Sequence, residues 1–268
     1  MRAMNFSAVS VLVKKVSPSL VSLILLCGPF YAHAIVSMEN IHLGKPPQGF
    51  AGSYQLDLTL ETGNTEQTDA GTGIKLQWTE GKITDFILAN YEYGETAGVT
   101  NKNKGFAHYR HIEQLDDRFA WEGFTQLSSN QFTNLTLRAL AGGGARITLG
   151  KVTDRQAFFL GLGMFYEREE LDSIYPDEAA IENTLRANTY LVMKYQFNAF
   201  VSLVSTTYYQ PDLSDFSDFR VIEDLSLVSK LNESLSINIG IDIAHDSKPP
   251  RDIKETDSSL KVGIVVNF

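Results

Sequence analysis

From residue 51 to residue 268 the chain is written in a two-residue period. In LSINIGIDI, residues 235–243, Leu235, Ile237, Ile239, Ile241 and Ile243 fall on one face, and Ser236, Asn238, Gly240 and Asp242 on the other, because successive side chains of a strand point to opposite sides. In TLRANTYLVMKYQF, Leu185, Ala187, Leu191, Met193, Tyr195 and Phe197 oppose Arg186, Asn188, Tyr190, Lys194 and Gln196 in the same way. Twelve such runs are read, at about 51–61, 69–79, 82–93, 104–115, 118–128, 133–149, 155–168, 183–196, 199–210, 219–230, 234–245 and 258–268. No helical period of comparable length competes with them, and no linker divides them. The expectation is one all-β domain over residues 50–268.

The links between runs alternate in length. TEGK, LDDR, LGKVTD, QFNA and LNES are short, whereas YGETAGVTNKNKG, EELDSIYPDEAAIEN, QPDLSDFSD and HDSKPPRDIKETDS are long and polar, with TGNTEQTD and LSSNQFTN the shorter members of the long set. Bacterial outer-membrane barrels have short periplasmic turns, longer outer loops and an even strand count. A soluble barrel shows the same period with its polarity inverted, so the period alone does not separate the two. The last run does. Lys261-x-Gly263-x-x-Val266-x-Phe268 is similar to the C-terminal signal read by the barrel assembly machinery, and Phe268 would then both close the barrel and address it. The expected fold is an antiparallel transmembrane β-barrel of about twelve strands in the bacterial outer membrane.

Residues 1–34 belong to a different chemical class: Arg2, Lys14 and Lys15 without an acid, then LVSLILLCGPFYAHA from Leu20. A basic start, an apolar run broken at Gly28-Pro29 and an Ala32-His33-Ala34 cleavage site describe a secretory signal peptide. Residues 35–49 are expected to be a periplasmic leader. The single cysteine, Cys27, leaves with the signal, so the mature chain has no disulfide. It keeps 20 Lys and Arg against 32 Asp and Glu, a balance unsuited to nucleic acid. The expected partners are outer-membrane lipid, lipopolysaccharide, and the assembly machinery and periplasmic chaperones during biogenesis. The barrel is expected to be a monomer without cofactor or metal.

Four stretches resemble, as a set, a family of unknown function described as salt-induced outer-membrane proteins: GFAGSYQLDLTLETGNT, RALAGGGARITL, FFLGLGMFYERE and HDSKPPRDIKETD. Phe50 stands where the resemblance leads one to expect Trp. It implies location, fold and an envelope or salt-stress role, and brings no catalytic residues.

Three stretches carry residues of catalytic or ligand-binding type. His245 and Ser247 form a His-x-Ser pair at the outer rim, with Glu255 or Asp257 as a third member. Outer-membrane lipid hydrolases use such a pair, but Lys248-Pro249-Pro250 follows here, and a rigid turn explains the prolines as well. His108 and His111 are three apart on a strand and so point to opposite faces, which does not suit one metal. The Gly-rich Ala141–Arg146 lacks the ending of a phosphate loop and reads as a site of close strand packing. The remaining candidates are the inward charges Asp57, Lys75, Arg138, Arg146, Arg186, Lys194, Asp224, Asp242 and Lys261. Asp57 is expected opposite Lys75, and Tyr54 opposite Trp78, in a first hairpin centred on Glu66. These charges form either an ion-paired plug or the lining of a narrow channel; the plug is preferred because long side chains can largely fill twelve strands.

Overall fold

The computed structural model describes residues 48–61, 67–172, 175 and 179–268. The expected signal peptide and nearly all of the expected leader lie outside them. Twelve antiparallel strands follow in chain order: β1 (Gly49–Glu61), β2 (Gln67–Glu80), β3 (Ile83–Thr96), β4 (Val99–Gln114), β5 (Phe119–Asn130), β6 (Leu135–Thr148), β7 (Gln156–Leu171), β8 (Ile181–Gln196), β9 (Val201–Pro211), β10 (Phe219–Lys230), β11 (Leu235–Asp246) and β12 (Thr256–Asn267). Each pairs with its sequence neighbours, and β12 returns to β1 to close the barrel.

Polarity distinguishes a membrane barrel from a soluble one. Ile87, Leu127, Leu162, Leu185, Leu191, Ile241, Leu260 and Ile264 are exposed on the outside, while Lys104, Arg110, Glu122, Glu167, Arg186, Arg220 and Asp242 are buried inside. An even-stranded barrel that is apolar outside and charged inside is of bacterial outer-membrane type. Exposed aromatics mark the two ends of the apolar belt. Phe50, Trp78, Phe119, Trp121, Phe197 and Phe200 lie near the short turns, and Tyr91, Tyr93, Tyr166 and Tyr209 near the long loops. Their amphipathic or bulky rings suit the level of the lipid headgroups.

Four of the five short turns share one device. Asp116 accepts from the backbone N–H groups of Arg118 and Phe119, Thr153 from Arg155 and Gln156, Asn198 from Phe200 and Val201, and Asn232 from Ser234 and Leu235. A short polar side chain thus completes the turn in place of a backbone partner, which is why LDDR, KVTD, QFNA and LNES carry Asp, Thr or Asn at that position. The two backbone N–H groups hold the Asp116 carboxyl below its usual pKa.

Two expectations need correction. The long β3–β4 link contracts to Ala97-Gly98, with φ of 51° and 75°, because a two-residue turn with both φ positive matches strand twist and lets the polar flanks continue as strand. In the first hairpin, Gly49 pairs with Thr79 and Glu61 with Gln67, which sets Lys75 against Ser53, Asp57 against Gly71, Tyr54 against Ile74 and Phe50 against Trp78. The register is shifted from the expected one by an even number of residues. Such a slide preserves every inward and outward assignment, so alternation cannot detect it.

Candidate functional site in the lumen

The nine expected lumen charges lie on the inner face, and most bond a residue of the same or an adjacent strand, as Arg138 does Glu169, Arg186 Glu167 and Lys261 Asp242. They sort into an outer ionic cluster, a middle aromatic layer and a lysine–carboxylate cluster on the opposite wall.

The outer cluster is built on Glu167 and Glu169 of β7. Arg220 crosses from β10 and donates to both oxygens of Glu167 at 2.9 Å and to those of Glu169 at 3.0 and 3.1 Å, while its Nε donates to Asp246 at 2.8 Å. Arg186 donates to Glu167 at 2.6 Å and to Asp218 at 2.7 Å. Arg138 completes the set by bonding Glu169. Buried carboxylates need such partners on most lone pairs to offset desolvation.

The middle layer is centred on Tyr190 of β8. Its hydroxyl donates to Glu122 of β5 at 2.7 Å and accepts from Arg146 of β6 at 3.2 Å. Arg110 of β4, 1% exposed, lies 3.5 Å from Glu122 and 5.5–5.8 Å from the ring centroids of Phe86, Phe124 and Tyr190. Arg146 and Lys194 both sit over Phe159, at 4.2 and 5.6 Å, and Lys75 stands 5.6 Å from Phe86. Guanidinium groups against ring faces suit a site that water does not reach. Leu88, Val192 and Tyr208 pack with Tyr190, and Phe106, Phe159 and Ile222 pack around them. Gly161 permits this. A Cβ there would stand 1.9 Å from Tyr190 Cε1, so the ring lies flat across β7 only because residue 161 has no side chain. Gly142, Gly144 and Gly163 likewise leave no room for a Cβ against neighbouring backbone.

The third cluster joins Lys261 of β12 to Glu92 at 2.7 Å and Asp242 at 3.4 Å, with Lys104 3.3 Å from Glu92. Ser259 donates to Asp242 at 3.0 Å. Asp224 is directly opposite Asp242 in the β10–β11 ladder. Asp57 accepts from Gln55 at 3.1 Å.

Of the ion pairs, Lys261–Asp242 joins two expected residues, Arg138 and Arg186 bind acids that were not expected, and Lys104–Glu92, Arg110–Glu122 and the Arg220 pairs involve none of the nine. Glu92, Lys104, Arg110, Glu122, Glu167, Glu169, Tyr190 and Arg220 were missed as site residues, although the same inward parity identifies each of them. Two cavities flank the middle layer. One of about 290 Å³ lies on the outer side and includes Arg138, Glu169, Arg220 and the Lys248–Pro250 loop. One of about 650 Å³ reaches the periplasmic turns and includes Lys75, Gln77, Glu92, Asp242 and Lys261.

At the outer rim, His245 Nδ1 bonds Thr256 Oγ1 at 2.9 Å and its ring packs on Phe219. The Ser247 hydroxyl accepts from Phe219 N at 2.7 Å and donates to the Ser217 carbonyl at 3.0 Å. Both groups are thus held by other partners. His108 is buried among Phe86, Phe106 and Phe124, whereas His111 lies outside against Asp85 and Trp121.

The chain belongs to the DUF481 family of proteins of unknown function, which it matches over residues 55–268. No curated protein matches it. Among solved structures it is similar to the NanC porin, at 11% identity and a TM-score of 0.49 over 80% of this chain and 98% of that one. It is also similar to the KdgM porin in complex with disordered oligogalacturonate, at 11% identity and a TM-score of 0.46 over 81% and 99%. A third is the translocator domain of the autotransporter NalP from Neisseria meningitidis, at 14% identity and a TM-score of 0.43 over 84% and 91%. At such identities these likenesses bear on fold alone.

Proposed function

For this member of the DUF481 family, we propose a non-enzymatic outer-membrane barrel that is closed along its axis at rest and serves envelope integrity under osmotic or salt stress. The middle layer carries this proposal: Tyr190 of β8 meets Arg110 of β4 and Glu122 of β5 in the lumen, each at most 2% exposed. Buried pairs are little screened by salt, so a plug of this kind stays shut as ionic strength rises. Single-channel recording of the refolded chain Ile35–Phe268 in a planar bilayer tests it. A silent barrel that begins to conduct on Tyr190→Ala is expected; discrete steps from the wild type would overturn it.

The second reading is a narrow channel for ions or small solutes, favoured by the two cavities, each lined in part by charged side chains, that approach the middle layer from either side. It requires wild-type conductance whose selectivity changes in Arg186→Ala or Asp242→Ala. A lipid hydrolase using His245 and Ser247 is disfavoured by the bonds that engage both residues, and it requires fatty-acid release that Ser247→Ala abolishes. For biogenesis we propose that Lys261, Gly263, Val266 and Phe268 are read by the assembly machinery; Val266 and Phe268 are exposed. Phe268→Ser should lower the heat-modifiable fraction in outer membranes.

A further inference from the structure

The closing seam is unlike the other eleven. Among the described residues the β1–β12 ladder joins Ser53–Leu56 to Ile264–Asn267, four residue pairs, and Gly52 and Phe268 exchange backbone hydrogen bonds of 2.8 and 2.9 Å just below it. The next shortest ladder, β8–β9, has eight pairs, and there β9 itself ends at Pro211. At the seam both strands continue. Asp57–Glu61 of β1 remain paired with β2, and Thr256–Gly263 of β12 with β11, yet among the described residues these two segments do not pair with each other. The barrel wall is therefore clasped at its periplasmic base and unlaced above Leu56 and Ile264, toward the outer leaflet. Backbone groups on such an edge need hydrogen-bond partners, which hydrocarbon cannot supply.

The two sides of this opening have opposite chemistry. Outside, Leu260 and Val262 are 67% and 62% exposed, among the most exposed apolar residues of the belt. Inside, the Asp57 carboxylate occupies the place of a side chain on β12: a Cβ at Gly263 would stand 1.9 Å from Asp57 Oδ1. Asp57 shares the wall of the larger cavity with Gln55, Glu92, Asp242 and Lys261. Carboxylates outnumber ammonium groups in its lining, since Asp57, Glu92, Asp154, Glu233 and Asp242 stand against Lys75, Lys230 and Lys261. The cavity, at about 650 Å³, has the size of a small-molecule site.

We propose that the upper β1–β12 seam is a lateral entrance through which a single-chain amphiphile passes from the outer leaflet into the periplasmic cavity. Its acyl chain lies along Leu260 and Val262. Its head carries hydrogen-bond donors, such as an amine or hydroxyls, which meet Asp57 and the unlaced backbone. A head with several negative charges is rejected by the acidic surplus. The entrance leads to the periplasmic side of the middle layer, so it operates whether or not the barrel conducts along its axis.

A lysophosphatidylethanolamine with a photoreactive group in its acyl chain, added to vesicles that contain the full mature barrel, tests this. Labelling concentrated at Leu260 and Val262 over outward positions elsewhere, such as Ile87 and Leu162, is expected. In Leu58→Cys with Val262→Cys, which continues the ladder's register, oxidation should abolish label at Leu260 and reduction restore it. Label spread evenly around the belt, or indifferent to oxidation, would overturn the proposal. Amide exchange of the wild type decides independently of whether the disulfide forms. Residues 257–263 should exchange faster than residues 160–166 of β7 and slow when the lysolipid is added; equal protection without the lipid would also overturn it. Neither experiment reads conductance, so a conducting wild type would defeat the closed-barrel proposal and leave this one standing.

Discussion

Arg220 in the lumen and Lys248 in the β11–β12 loop make the same kind of bond in different media. Arg220 is 9% exposed in its side chain and contacts Glu167, Glu169 and Asp246 at 2.8–3.0 Å. Lys248 contacts Asp215 at 2.6 Å but is 50% exposed. Distance alone would rank the loop pair first. Solvent reverses the order, because an exposed pair exchanges water for a partner at little net gain, whereas a buried carboxylate has no water to return to. The lesson concerns deletion: what matters is which group is left behind, and where.

The largest effect should therefore come from Arg220→Ala, which leaves Glu167 and Glu169 buried and under-paired. A loss of about 3–5 kcal/mol is expected, read as a lower denaturant midpoint in refolded vesicles. A triple variant, Arg220→Met with Glu169→Gln and Asp246→Asn, should recover most of it, since it neutralises the stranded acids while Glu167 keeps Arg186 at 2.6 Å and Arg138 at 3.9 Å. Failure to recover would mean that the pairs themselves, and not the stranded acids, stabilise the barrel.

Next comes Gly161→Ala. The added methyl group drives Tyr190 off its seat on β7 and should cost about 1–3 kcal/mol as overpacking. If the middle layer closes the axis, this variant also conducts, because the displaced hydroxyl leaves Glu122 and Arg146. Unchanged stability with a silent barrel would locate the closure elsewhere.

A third medium is represented by Glu223, on the outward face of β10, where Ser205 Oγ donates to it at 2.7 Å and Thr207 also bonds it. A lipid-facing carboxylate is costly, though less so than a lipid-facing Arg or Lys. Glu223→Gln keeps acceptor geometry and removes the charge, so a gain of at most about 1 kcal/mol is expected in the bilayer, and none in detergent that wets the belt.

Much of this was legible in the residues. Alternation in LSINIGIDI put Asp242 and Ile241 on opposite faces, the C-terminal run decided which face looks inward, and the short links fell where the tight turns are. Alternation is local, however, and says nothing about slide or reach. The Asp57–Lys75 pairing failed because an even register shift leaves both residues inward. Arg220 could not be matched to Glu167 because they are 53 residues apart and meet only when the barrel closes. Tyr190 looked like one inward tyrosine among polar neighbours until Gly161, its ladder partner on the preceding strand, made room for its ring.

The smallest effect belongs to the loop latch, and it has a pH profile of its own. Hydrogen bonds from Lys248 and Ser217 hold the Asp215 carboxyl well below its usual value, and Asp215 in turn raises Lys248. A lowered carboxyl contributes above its unfolded value, about 3.9, and the contribution is lost as pH falls through the lower folded one. A raised lysine contributes below about 10.4 and loses its share as pH rises through its higher folded value. Between these limits Lys248→Ala should leave the denaturant midpoint unchanged while amide exchange of residues 212–218 quickens, and salt should mimic the variant. Ser247 supplies the contrast. Its hydroxyl holds Phe219 N and the Ser217 carbonyl without charge, so Ser247→Ala should loosen the same loop at every pH and salt concentration. If Lys248→Ala quickened exchange equally in strong acid, the ion pair would not be what holds the loop.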